Sequence, residues 1–149
     1  MTAVYFDANA LVKRYAHELG SEQVGRIFEV ATDVFTCKVA FAEVMATFRR
    51  KRDEGVEVDG LTNQFQNDWG GITTVDLSRE LLLITRQRAF QHALKALDLL
   101  HLSAALLLRD EAQIPVVFVS SDQNLLRAAR RERFDVFDPE REDPARLES

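Results

Sequence analysis

Asp7 follows a short apolar run, Val4-Tyr5-Phe6, and Asp122 lies just beyond a second, Val116-Val117-Phe118-Val119. Glu43 and Asp98 each fall early in a stretch of helical spacing. Brought together, four carboxylates raise one another's pKa and cost stability, and a divalent cation resolves the conflict. Cys37 is the only cysteine, and no His-x-x-x-His or Cys-x-x-Cys spacing occurs, so the donors on offer are oxygens. Oxygen donors favour Mg²⁺ or Mn²⁺ over Zn²⁺. One or two such ions polarise a phosphodiester and lower the pKa of a water, so the chemistry this set could support is metal-assisted phosphodiester hydrolysis.

The elements that must position these acids follow from periodicity. Residues 4–6 read as a strand, followed by a helix carrying Leu11, Val12 and Tyr15. Helical spacing recurs over 22–31, a short strand over 34–36, and a helix over 39–52 that Gly55 stops. A helix over 59–69 closes at Gly70-Gly71 before a β-branched strand over 72–75, and Ser78 suits the N-cap of a helix reaching about residue 90. Residues 96–109 carry the strongest helical pattern, and the wholly apolar run 116–119 reads as a strand buried on both faces. Ser121 or Asp122 can cap a last helix through Leu125, Leu126 and Ala129, and 134–137 reads as an edge strand.

Strands alternating with helices require crossovers and a parallel sheet covered on both faces, a three-layer α/β class. Chemistry in such sheets sits beyond the carboxyl ends of the strands, where Asp7 and Asp122 fall. Crossover helices begin near that same edge or descend from it, which puts Glu43 and Asp98 on one rim with them. Position alone does not select these four among 24 acidic residues. Asp76 also ends a strand, and Asp33, Asp53, Asp59, Asp68, Asp110, Glu111 and Asp135 suit caps or solvated surface.

The local sequence selects them. Val4-Tyr5-Phe6-Asp7-Ala8-Asn9-Ala10-Leu11-Val12-Lys13 resembles the opening of PIN-domain nucleases, an apolar strand delivering an Asp followed two residues later by Asn, Ser or Thr. Ala40-Phe41-Ala42-Glu43-Val44 is similar to the second acidic motif of that family, Lys95-Ala96-Leu97-Asp98-Leu99-Leu100-His101 to the third, and Val119-Ser120-Ser121-Asp122-Gln123-Asn124-Leu125 to the fourth. The resemblance spans about residues 2–138, and the size is that of VapC-type toxins of bacterial toxin–antitoxin pairs. It implies Asp7, Glu43, Asp98 and Asp122 as catalytic metal ligands, a Mg²⁺ or Mn²⁺ cofactor and endonucleolytic cleavage of RNA. It further implies a sheet in order 3-2-1-4-5, a homodimer, and a cognate antitoxin whose C-terminal segment lies across the groove. Asn9 and Ser120 would then orient ligands or water, a role that competes with plain turn and cap hydrogen bonding. His101, three residues after Asp98, shares its helix face and is expected to support the site rather than act as a base.

A net charge of −5 opposes unspecific attraction to nucleic acid, yet basic residues cluster at 49–52 and at Arg127, Arg130, Arg131 and Arg133. Lys13 and Arg14, beside the Asp7 loop, and Arg127 and Arg130, on the helix that starts at Asp122, are the expected RNA contacts. The 49–52 cluster points toward the opposite edge. Residues 1–138 are expected as one nuclease domain and 139–149, charged and with two prolines, as a loose tail. No apolar run approaches a membrane span, and the lone cysteine fits a reducing cytoplasm. A haloacid-dehalogenase reading fails for want of a second acid at Asn9, and a phosphoaspartate receiver for want of its paired acid and lysine. A housekeeping RNA-processing enzyme and a silent PIN-fold binding module remain the alternatives to a toxin.

Overall fold

The computed structural model describes residues 2–148. Strands β1 (Ala3–Phe6), β2 (Asp33–Cys37), β3 (Thr73–Val75), β4 (Val117–Val119) and β5 (Asp135–Phe137) form one sheet in the order β3-β2-β1-β4-β5. Every pairing is parallel, with Tyr5 opposite Phe35 on one side and Phe118 on the other. The expected order and class are therefore observed. Between the strands run α1 (Ala8–Leu11), α2 (Ser21–Val30), α3 (Val39–Asp53), α4 (Asp59–Trp69), α5 (Arg79–Arg88), α6 (Ala96–Leu106) and α7 (Gln123–Arg131).

Alternation along the central strands divides the core in two. Val4 and Phe6 of β1 and Val117 and Val119 of β4 face a cluster with Val24 and Ile27 of α2, Val44 and Phe48 of α3 and Phe65 of α4. Tyr5 and Phe118 face the other side, among Leu81 of α5, Leu102 and Leu106 of α6 and Leu125 and Leu126 of α7. A period of two in a strand covered by helices on both faces produces this three-layer sandwich. The caps read from the sequence form as well. Leu81 N–H donates to Ser78 Oγ at 3.1 Å and Leu125 N–H to Asp122 Oδ1 at 3.1 Å. The long helix expected over 96–109 instead ends at Leu106 and widens into a π-helical turn over Leu107–Glu111.

The C-terminal segment is not loose over its described residues. A 3₁₀ turn, Pro144–Leu147, carries Leu147 into the core at 4% exposure. Its charges are paired rather than merely solvated: Arg26 of α2 meets Asp143 and Glu148, and Arg146 meets Asp135 while lying 5.3 Å from the centre of the Phe137 ring. A single leucine among charges carries too weak a periodic signal to be read from sequence. Among the described residues no helix is long and apolar enough to cross a membrane.

Candidate active site

The sheet order reverses between β1 and β4, and the two loops leaving these strands are stitched together there. Asp7 follows β1, and its backbone N–H donates to Val119 O at 3.0 Å, which carries the ladder one residue past the strand. Its carboxylate is 2% exposed and accepts from Ser120 Oγ at 2.9 Å. Ser120 Oγ in turn accepts from the backbone N–H of Asp122 at 3.0 Å. Across the same gap Ser121 N–H donates to Asn9 Oδ1 at 3.2 Å. Asn9 and Ser120 thus tie the Asp7 loop to the Asp122 loop.

Glu43 reaches the rim from the start of the second turn of α3, and Asp98 from the first turn of α6. His101, one turn along α6, joins two of the acids. Its Nε2 lies 2.6 Å from Glu43 Oε1 and 3.6 Å from Asp7 Oδ1, and its Nδ1 lies 2.7 Å from the Tyr5 hydroxyl. One ligand atom each from Asp7, Glu43 and His101 fit within 4.8 Å of one another. Asp98 and Asp122 border the next part of the rim, where they line a cleft of about 500 Å³ with His92, Leu94, Lys95 and Asn124.

The electrostatics are those of crowded acids. Burial, with the nearby charges of Asp7 and Asp122, pushes the Asp98 carboxyl up to about 6. Burial also raises Asp7, against the opposing influence of His101 and the Ser120 hydrogen bond. For His101 burial works downward, but the Glu43 hydrogen bond and the Asp7 and Glu43 charges outweigh it and raise the imidazole. Burial holds the Tyr5 phenol well above its usual range, so it keeps its proton.

The basic residues divide. Lys13 is 6% exposed and bound to Glu18 and Glu140 at 2.9 and 3.1 Å. It is wedged beside Gly20, where φ is +93° and a Cβ would sit 3.2 Å from both the lysine Cδ and the Pro139 carbonyl. Arg14 pairs with Asp68 at 3.0 Å, stacks 4.2 Å over Phe28, and lines a hollow with Asp33 and Thr73 at the amino ends of β2 and β3. Neither faces the acid rim, which corrects the expectation for both. Their ion pairs commit both side chains, Lys13 to Glu18 and Glu140 and Arg14 to Asp68. Arg127 is exposed, contacts Asn124, and lines a hollow with His92, Leu94 and Arg131 that shares residues with the Asp98 cleft. Arg130, also exposed, is not among the residues lining either hollow.

The Tyr5–His101 contact escaped sequence reasoning. Its signals were the one hydroxyl in the β1 run, two residues before Asp7 and so on the same strand face, and a histidine one helical turn from Asp98.

Comparison with known proteins agrees with this geometry. Two relatives from Mycobacterium tuberculosis, Ribonuclease VapC45 and Ribonuclease VapC49, are each 27% identical over 122 residues, covering 79% of this chain and 85% of theirs. Among solved structures, a toxin–antitoxin complex from Klebsiella pneumoniae superposes with a TM-score of 0.66 at 14% identity, covering 91% of this chain and 97% of its own. VapBC2 from Rickettsia felis, bound to a DNA fragment from its promoter, gives 0.60 at 12%, with 92% and 98% covered. The model of the PIN domain matches residues 4–131, a span that begins in β1 and takes in all four rim acids, and the chain belongs to the PIN domain family.

Proposed function

We propose that this protein is a metal-dependent endoribonuclease, the toxin of a type II toxin–antitoxin pair, that hydrolyses RNA phosphodiester bonds on the rim formed by Asp7, Glu43, Asp98 and Asp122. One observation carries the reading: acids from four separate elements converge on the β1–β4 switch point, where burial together with the charges of Asp7 and Asp122 pushes Asp98 up to about 6. Crowding of this kind costs folding energy that a divalent ion returns. The donors fit a hard cation, with Asp7, Glu43, Asp98 and Asp122 holding it directly or through water, and Mg²⁺, replaceable by Mn²⁺, is the ion they suit. When bound, such an ion would polarise the scissile phosphate and acidify a water. The protein's own part is positional. Ser120 and Asn9 lock the two loops, and Arg127 and Asn124 border the path along which the RNA backbone leaves the acids.

The names and complexes of the relatives support an antitoxin as the natural partner, covering the rim when the enzyme is silent. A homodimer belongs to the same reading. Leu82 and Leu83 stand exposed on α5 with Leu77 and Phe90 nearby, and antiparallel pairing of α5 with a second copy about Leu83 sets Glu80 of one copy against Arg86 of the other. Leu83→Arg should turn a dimer into a monomer in sedimentation.

The direct test is cleavage of RNA by chelator-treated protein. Mg²⁺ or Mn²⁺ should restore activity, Ca²⁺ should restore little, and Asp7→Asn or Asp98→Asn should abolish it with the fold intact. Full cleavage in excess EDTA, or by either Asn variant, would refute the reading.

A further inference from the structure

Asp7, Glu43 and His101 together look like a mixed nitrogen and oxygen metal site. The hydrogen bonds say otherwise. A carboxylate oxygen only accepts, and two lone pairs do not settle 2.6 Å apart, so the contact between His101 Nε2 and Glu43 Oε1 needs a proton on Nε2. A nitrogen that carries a proton has no lone pair to give a metal. At the other side of the ring the Tyr5 hydroxyl lies 2.7 Å from Nδ1, placed to donate to a neutral ring. Both His101 and Tyr5 are fully buried at 0% exposure, so neither group can exchange its partner for water, and the pairing fixes the ring.

We propose that Tyr5 and His101 are positioning residues that select the metal and aim Glu43. Tyr5 O–H donates to His101 Nδ1, and His101 Nε2–H donates to Glu43 Oε1, so that Glu43 offers its other oxygen alone to the cation and the imidazole stays out of the coordination shell. The inference rests on the metal-dependent nuclease reading above. Its physical basis is the chain from the sheet centre to the rim: Tyr5 on rigid β1, His101 on α6, Glu43 on α3. Tyr5 and Asp7 stand two residues apart on one strand face, so the strand that places Asp7 also anchors the histidine that places Glu43. A nitrogen-free shell keeps the site suited to Mg²⁺ and Mn²⁺ and poor for Zn²⁺.

The first experiment is nitrogen-15 NMR of the His101 ring in full-length, metal-free protein, the signal being assigned by its loss in His101→Gln. At a pH high enough for the ring to be neutral, Nε2 should carry the proton with Nδ1 as acceptor, and Mg²⁺ should leave that tautomer unchanged. An unprotonated Nε2, or a Nε2 signal displaced by Mg²⁺ as a bound ligand would be, overturns the proposal. The second experiment is calorimetric titration with Mn²⁺. His101→Gln, whose amide N–H can replace the ring donor, should keep Kd within about threefold, whereas His101→Ala and Tyr5→Phe should weaken it about tenfold, the scale for lost orienting partners of metal ligands. Equal losses in Gln and Ala would make the histidine a ligand and sink the idea. None of these readouts uses RNA. Wild-type protein that binds Mn²⁺ with Nε2 protonated but cleaves nothing would refute the nuclease reading and leave the relay standing.

Discussion

The hydroxyl of Ser120 donates to Oδ2 of Asp7 at 2.9 Å, a bond between residues 113 apart in sequence. Burial drives the Asp7 carboxyl upward, and after the His101 charge the Ser120 bond is the largest influence opposing that rise. Ser120→Ala should therefore raise Asp7 further and leave the Asp122 backbone N–H without its partner. Mg²⁺ affinity at neutral pH should fall about tenfold and recover in part as pH is raised. Titration of metal binding at two pH values checks this, and an unchanged affinity would mean that the bond is only a turn.

The burial of Asp98 beside Asp7 and Asp122 has a signature in stability. Its folded pKa, about 6, stands above the unfolded carboxylate, so between roughly pH 4 and 6 the native state holds more protons than the unfolded one. Metal-free protein should therefore lose stability as pH rises through that window and change little from this source above it. The raised His101 works in the same direction, being a group whose contribution is present at low pH and lost as pH climbs through its folded pKa. Asp98→Asn should flatten the slope, and melting temperatures of the two proteins across pH 4 to 8 decide it. Metal binding should strengthen over the same interval, because the ion competes with the proton.

Charge removal should separate the arginines. Arg127→Ala should weaken RNA binding and reduce its salt dependence by about one unit of slope per lost phosphate contact. Arg14→Ala should leave RNA binding untouched, since its guanidinium is committed to Asp68 and Phe28 at the far sheet edge. Lys13→Ala should lower stability instead, by leaving Glu140 without its ion pair and Glu18 with Lys51 alone. Filter binding over a salt series with a catalytically dead variant is the measurement, and a loss at Arg14 equal to that at Arg127 would contradict the assigned path.

The C-terminal 3₁₀ turn should matter to folding and not to cleavage. Leu147→Ala removes a side chain that is 4% exposed and should cost about 2 kcal/mol in chemical denaturation, with specific activity unchanged at low temperature. A tail that contributes nothing would show no shift.

These outcomes trace what a one-dimensional reading can see. Asp7 and Asp122 are legible because a strand end is a local event: Val4 to Phe6 and Val116 to Val119 announce themselves by composition, and the parallel-sheet rule sends both ends to one edge. Glu43 and Asp98 are legible as early residues of amphipathic helices that descend from that edge. The partnership of His101 with Tyr5 and Glu43 is not, because it joins residues 96 and 58 positions apart through the width of the molecule. Lys13 and Arg14 mislead for a different reason. Nearness in sequence to Asp7 is nearness in space only for the first residues after it: by residue 14 the side chain meets Asp68 and the amino ends of β2 and β3.

The adjacency of β1 and β4 has a temporal meaning. These two central strands are the first and the fourth of the sheet, and the rim exists only where their loops meet. During synthesis Asp7 leaves the ribosome early, with Glu43 and Asp98 following, yet the seam that holds them waits for Ser120 and Asp122. A nascent chain, or a fragment cut between Asp98 and β4, carries three of the four acids but not Asp122 or the Ser120 bond to Asp7. For a ribonuclease this connectivity means that the complete set of four acids is assembled only after β4 and the loop that follows it have been made.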